Sequence, residues 1–151
     1  MAPSMTTCPS TSALARRSTA GLGTALGTGA AAGVVAAAAN LVVSAVARGP
    51  PGTGDDFVPL TPGPVVMWTL LGAIIGALGW RLVVRTVTRS RAVLIRLVPT
   101  VLLLSFVPDI ALLVTDSVPG QTTTGVVALM AMHVVTAVVA VSAYGRTMPA
   151  A

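Results

Sequence analysis

The sequence predicts an all-α integral membrane protein, a four-helix bundle of up-down-up-down topology with both termini in the cytoplasm. Three observations predict it. Of 151 residues, 54% are hydrophobic and 9% are charged, where a soluble domain carries about 25% charged residues. The apolar residues gather into four runs, each about the length that crosses a bilayer. Eight of the nine arginines stand in segments that a four-span chain places on one side of the membrane.

The elements follow in order. Residues 1–18 are rich in Ser, Thr and Pro, end in Arg16-Arg17, and read as a disordered polar tail. A single four-span domain then covers 19–146. Its first span, about 19–47, is Ala, Gly and Val. It is much longer than the roughly 7–15-residue core of a signal peptide, so it reads as a retained helix. "RGPPGTGDDFVPLTPGP" (48–64) is a loop, because Pro and Gly break helices and Asp55-Asp56 call for water. The second span is about 65–84. "RLVVRTVTRSRAVLIR" (81–96) carries five arginines and is expected to end that helix in water. The third span, about 97–114, contains Pro99 and Pro108. "TDSVPGQTTT" (115–124) forms the next turn, and the fourth span, about 125–143, is closed by Tyr144 and Arg146. No segment outside the spans is long enough for a soluble domain.

The net charge of +5 comes entirely from arginine, with no Lys and no Glu. Because these arginines flank apolar runs, they read as positive-inside signals, and the expected partner is the lipid bilayer, not nucleic acid. The tail, the middle connection and the C-terminus hold Arg16, Arg17, Arg81, Arg85, Arg89, Arg91, Arg96 and Arg146. The other side holds Arg48 with Asp55, Asp56 and Asp116. Trp68 and Trp80 then fall near opposite ends of the second span, where indoles favour the interface. The single cysteine, Cys8, excludes an internal disulfide and a CxxC redox pair.

Three polar residues interrupt the spans. Counting 1.5 Å per residue, Asn40 lies about 10 Å, Asp109 about 8 Å and His133 about 12 Å below the same face of the membrane. Helical spacing puts Gly29, Gly33, Ala36, Ala37, Asn40 and Ser44 on one stripe, and Gly72, Gly76 and Gly79 on another. Small residues let helices approach closely, so both stripes are expected to pack inward. His133 shares a face with Thr136, Ala137, Ala140 and Tyr144. An ionised Asp in hydrocarbon needs a partner, and histidine can share a proton with it. The expected cluster is therefore Asn40, Asp109 and His133. Two readings of it stay open, polar groups that hold the helices together and a proton- or ligand-handling site. Met130 and Met132 point about 200° apart, so with His133 they make no copper site, and no metal or cofactor is expected.

"TLLGAIIGALGW" (69–80), "RLVPTVLLLSFVPDIALL" (96–113) and "ALMAMHVVTAVVAV" (128–141) resemble domain-of-unknown-function family 6069, small bacterial four-helix membrane proteins. The resemblance covers about residues 25–145. Its distinctive parts are "SFVPD" (105–109) and Met132-His133. It implies a four-helix membrane protein and supplies no catalytic residue.

The chain is therefore expected to be a multi-pass protein of the bacterial cell membrane and not an enzyme, since it offers no metal-ligand spacing, nucleophile motif or redox pair. It is expected to serve as a structural module, or to bind a membrane-protein partner or a second copy through the glycine stripes. The alternative is a small proton-linked transporter or permeation protein built on Asp109, His133 and Asn40.

Overall fold

The computed structural model describes residues 20–49, 57–115 and 117–151. The tail 1–18 with Cys8, Arg16 and Arg17, and the acids Asp55, Asp56 and Asp116, lie outside the described residues. The described chain is helical: α1 (Leu22–Arg48), α2 (Pro62–Thr86), α3 (Ser90–Ser105), α4 (Val107–Thr115) and α5 (Thr123–Thr147), with one 3-10 turn at Val58–Leu60. Four stretches are long and apolar enough to cross a membrane, namely Leu22–Arg48, Pro62–Thr86, Ser90–Thr115 and Thr123–Thr147.

The core is made by α1, α2 and α5. Close to the arginine-bearing end, Ala25, Ala32, Ala77, Ala140, Tyr144 and Met148 pack together. At the opposite end the cluster is Phe57, Leu60, Val65, Val126, Ala128 and Met132. Small residues dominate the first cluster because α1 and α2 approach closely there. A Cβ on Gly29 would stand 3.0 Å from the Ile74 Cα and 3.2 Å from the Ala73 carbonyl oxygen. On Gly33 it would stand 3.2 Å from the Leu70 Cα and 3.3 Å from the Ala73 Cβ. Such approach maximises dispersion contact, the main attraction between helices once lipid removes the hydrophobic effect.

Two expectations about the connections are corrected. The stretch 81–96 does not simply end the second helix but is itself mostly helical. α2 continues to Thr86, α3 starts at Ser90, and only Val87–Arg89 connects them. The stretch contains no Gly or Pro, arginine is a good helix former, and its apolar stem can lie along the helix while the head reaches water. Residues 57–64 are likewise not a solvated loop. Phe57 and Leu60 are each 2% exposed, and Pro62 begins α2, where its missing N–H costs no hydrogen bond. The Phe57 ring fills the space left by Gly125, with ring carbon Cδ1 3.0 Å from where a Cβ would stand. The Ser44 hydroxyl donates to the Leu60 carbonyl oxygen.

The third stretch is broken near its middle. Pro99 stays inside α3, but at Phe106 the helix ends and its N–H turns back to the Leu103 and Leu104 carbonyls. Pro108 has no N–H to offer Leu104 in the ordinary pattern, which weakens the ladder at this point. α4 restarts at Val107 and carries Asp109 in its first turn. The Ser105 hydroxyl donates to the Leu102 oxygen within the last turn of α3, at 2.7 Å. After α4, the Gln121 amide reaches back to the Leu112 oxygen at 2.6 Å, and the Thr122 hydroxyl caps α5 by accepting the Gly125 N–H at 3.0 Å.

Candidate functional site

Asp109 stands where the break at Phe106 brings the start of α4 against α5. Its Oδ2 lies 3.3 Å from the Nδ1 of His133. The Asp109 side chain is 7% exposed and that of His133 38%, so the carboxylate is covered while the imidazole opens to one side of the bundle. The same Nδ1 lies 2.9 Å from the Leu129 carbonyl oxygen, one turn back along α5. The ring N–H follows that carbonyl, and Asp109 Oδ2 is left buried without a hydrogen bond of its own. The two side chains therefore approach closely without a hydrogen bond between them. The negative end of Asp109 also sits near the N-terminus of α4, the favourable end of a helix for an anion. The Phe106 ring meets the imidazole edge-on, centroids 6.1 Å apart at 88°, and so walls the pair on the side of the break.

Asn40 belongs to a different group. It is 1% exposed, and its side-chain amide donates to Thr69 Oγ1 on α2 and Thr136 Oγ1 on α5, both at 3.0 Å. Thr136 in turn donates to the Met132 oxygen at 2.8 Å. Asn40 thus ties the three core helices together at one point, while its Oδ1 is buried without a hydrogen-bond partner. The expected single cluster is corrected to two adjacent ones. The Asp109–His133 pair joins α4 to α5, and the Asn40–Thr69–Thr136 group joins α1, α2 and α5. Thr136 follows His133 by three residues, nearly one turn, so the two groups are neighbours along α5. Thr69 and Thr136 take both amide hydrogens of Asn40, and its Oδ1 receives no donor from the Asp109–His133 pair.

The two glycine stripes have different fates. Gly29 and Gly33 lie buried in the α1–α2 contact. Gly72, Gly76 and Gly79 are exposed, and the inward orientation expected for them is corrected. A Cβ on Gly72 or Gly79 would meet nothing within 4 Å, whereas one on Gly76 would lie 3.3 Å from the Tyr144 hydroxyl. The buried face of α2 consists instead of Val65, Thr69, Ala73 and Ala77, a stripe rotated about 70° from the glycines by helical spacing, with Gly76 at its border. Alanine and threonine are small enough for the same close approach, so spacing of glycines alone did not identify the inner face.

Sequence reasoning also missed several polar fastenings. Thr69, Ser44 and the Tyr144 hydroxyl, which donates to the Ala73 carbonyl, each bridge two helices. Trp80 donates its indole N–H to the Met148 oxygen at 2.9 Å and meets the Tyr144 ring edge-on at 5.8 Å. Thr69 and Ser44 carried a legible signal, since a hydroxyl inside an apolar span needs an acceptor. Among the described residues no group of three or more His, Cys, Asp and Glu gathers around one point.

The model of a family of unknown function, DUF6069, matches residues 19–150. No curated protein and no solved structure matches the chain.

Proposed function

As the chain belongs to DUF6069, a family of unknown function, we propose from its geometry that it is an up-down-up-down multi-pass protein of the bacterial cell membrane, both termini cytoplasmic, working as a structural or partner-binding module and not as an enzyme. The contacts support the topology. α1 meets α2 at Gly29–Ala77 and later at Asn40–Thr69, and meets α5 at Thr28–Thr147 and later at Asn40–Thr136, so α1 opposes both. Asp109–His133 and the Ser90–Ala151 contact give α3–α4 the direction of α1. The arginine bias supports cytoplasmic termini.

The observation that carries the module reading is the open third span. Only 6% of its most apolar stretch is buried, against 33% in α1 and 22% in α2 and α5. Leu103, Leu104, Val107 and Val114 are 65%, 62%, 56% and 80% exposed. This span offers a long apolar side to another transmembrane helix, whether from a second copy or from another membrane protein. Gly72 and Gly79 leave α2 a further shallow face. The test is disulfide cross-linking in native membranes of a Leu104→Cys chain in a Cys8→Ser background. The expected result is a discrete cross-linked band, and Gly72→Leu is expected to change its yield. A chain that stays monomeric at every oxidant dose, with no adduct, counts against the reading.

A second reading is favoured by the Asp109–His133 approach. A carboxylate and an imidazole 3.3 Å apart, one covered and one half-open, can pass a proton between them once the Nδ1 hydrogen leaves the Leu129 oxygen. That arrangement supports proton-linked transport or permeation. Its test is proton uptake into proteoliposomes. Uptake lost in Asp109→Asn supports it, and uptake absent from the unaltered protein removes it.

A further inference from the structure

We propose that the groove between α2, α3 and α5 at the arginine-bearing end holds an anionic glycerophospholipid. The groove encloses about 510 Å³, within the range of small-molecule sites. Its walls are Trp80 from α2, Leu94, Ile95 and Val98 from α3, and Val141 from α5, with Arg91 at its mouth. Arg91 is exposed, Leu94 is 5% exposed and forms the floor, and Ile95 is 64% exposed on the open side.

The order of these residues along α3 matches the order of groups in a phospholipid. Arg91 comes first, Leu94 and Ile95 one turn later, Val98 a turn beyond them, where Pro99 also lines the wall. A phosphate beside the guanidinium would send its acyl chain down the apolar wall. The indole N–H of Trp80 is already taken by the Met148 oxygen, so Trp80 presents its ring to the groove as apolar surface.

Charge selects the headgroup. Arg81, Arg85, Arg89, Arg91, Arg96 and Arg146 all stand at this end. Arg81 is engaged with the Ala20 oxygen at 3.1 Å. Asp109 is the sole carboxylate side chain among the described residues, and it lies about 27 Å further along the third span by helical rise. The Arg91 backbone N–H and the Ser90 hydroxyl are occupied by the Ala151 oxygen, at 2.8 Å and 3.3 Å. The guanidinium of Arg91 has no carboxylate side chain beside it among the described residues. Basic grooves between transmembrane helices favour anionic lipid headgroups, and arginine binds phosphate through two parallel N–H donors.

This inference rests on the reading of the chain as membrane-spanning, and the test separates the two. The full chain is reconstituted in bilayers in which either phosphatidylglycerol or phosphatidylcholine carries brominated acyl chains, which quench a tryptophan in contact with them. Trp68→Phe leaves Trp80 as reporter in the groove. Trp80→Phe leaves Trp68, which is 62% exposed, as reporter of the general lipid surface. In Trp68→Phe, brominated phosphatidylglycerol is expected to quench at about fivefold lower mole fraction than brominated phosphatidylcholine, the preference one arginine gives near an anionic lipid. Adding Arg91→Gln is expected to abolish the preference, and Arg96→Gln, outside the groove, to leave it. Equal quenching of Trp80 by both lipids overturns the proposal. So does an equal loss of preference in Arg96→Gln and Arg91→Gln, which would mark diffuse surface charge. In Trp80→Phe, quenching of Trp68 by both lipids upholds the spanning reading. Absence of that quenching overturns the spanning reading, and the lipid site with it.

Discussion

Asp109 and His133 meet across the α4–α5 contact with Oδ2 and Nδ1 3.3 Å apart, and the same nitrogen also faces the Leu129 oxygen at 2.9 Å. Two acceptors thus converge on a nitrogen that carries one hydrogen. The carbonyl takes it, and the carboxylate rests beside the ring at the start of α4, the end of a helix that favours an anion.

That relationship predicts a modest coupling. The Nδ1 hydrogen of His133 is already taken by the Leu129 oxygen, so the pair has no hydrogen bond of its own. A double-mutant cycle of Asp109→Asn and His133→Ala, followed by unfolding in detergent, is expected to give a coupling of about 0.6 kcal/mol, the average for polar contacts between transmembrane helices. Strict additivity of the two changes would mean that the side chains are neighbours without interacting.

Asn40 predicts a larger structural effect, because its two hydrogen bonds join three helices. Polar bonds between transmembrane helices average about 0.6 kcal/mol each, so Asn40→Ala is expected to cost about 1 kcal/mol. Thr69→Val and Thr136→Val should each cost about half as much by the same scale. Thermal unfolding in a single detergent orders the three variants. Equal stability of Asn40→Ala and the unaltered protein would show that the group carries no net stabilisation.

The glycines separate into two classes by the same assay. Gly29→Ala forces a methyl to 3.0 Å from the backbone of α2 at Ile74, and overpacking of this kind typically costs about 1–3 kcal/mol. Gly79→Ala enters open space and replaces a poor helix former with a better one, so it is expected to leave stability unchanged or raise it slightly. The reverse ranking would mean that α2 packs through its glycine face after all.

Tyr144→Phe tests the fastening at the arginine-bearing end. The change removes the hydroxyl bond to Ala73 while keeping the ring contact with Trp80. The Ala73 carbonyl retains its place in the helix ladder, so no buried acceptor is stranded, and the loss is expected to be about 1 kcal/mol. A loss several times larger would show that the hydroxyl also positions α5 against Gly76.

The number and approximate places of the spans were legible because long apolar runs separated by Pro, Gly and Asp leave little choice. Their rotations were not. α2 is apolar on nearly every side, so periodicity distinguishes no inner face, and glycine spacing pointed to Gly72 and Gly79 where Ala73 and Ala77 pack. The start of α3 at Ser90 was obscured because arginines read as water-loving although they do not break helices. Asp109 and His133 could be matched in depth by counting residues in two opposed helices. The same counting placed Asn40 at their level but could not reveal that Thr69 and Thr136 claim its amide. Phe57 and Leu60 were hidden by the Pro/Gly-rich company they keep.

The core formed by α1, α2 and α5 has a consequence for biogenesis. α5 follows the other core helices in the chain and supplies Val126, Ala128, Met132, Ala140 and Tyr144 to that core, with Thr136 bonded to Asn40 beside them. Until α5 arrives, Asn40 can reach Thr69 but not Thr136, and Ala73 lacks its tyrosine. The intervening α3–α4 segment is therefore made before the bundle it joins is complete, and only 6% of its most apolar stretch is buried within that bundle. The three-helix core is complete only when α5 closes back on α1.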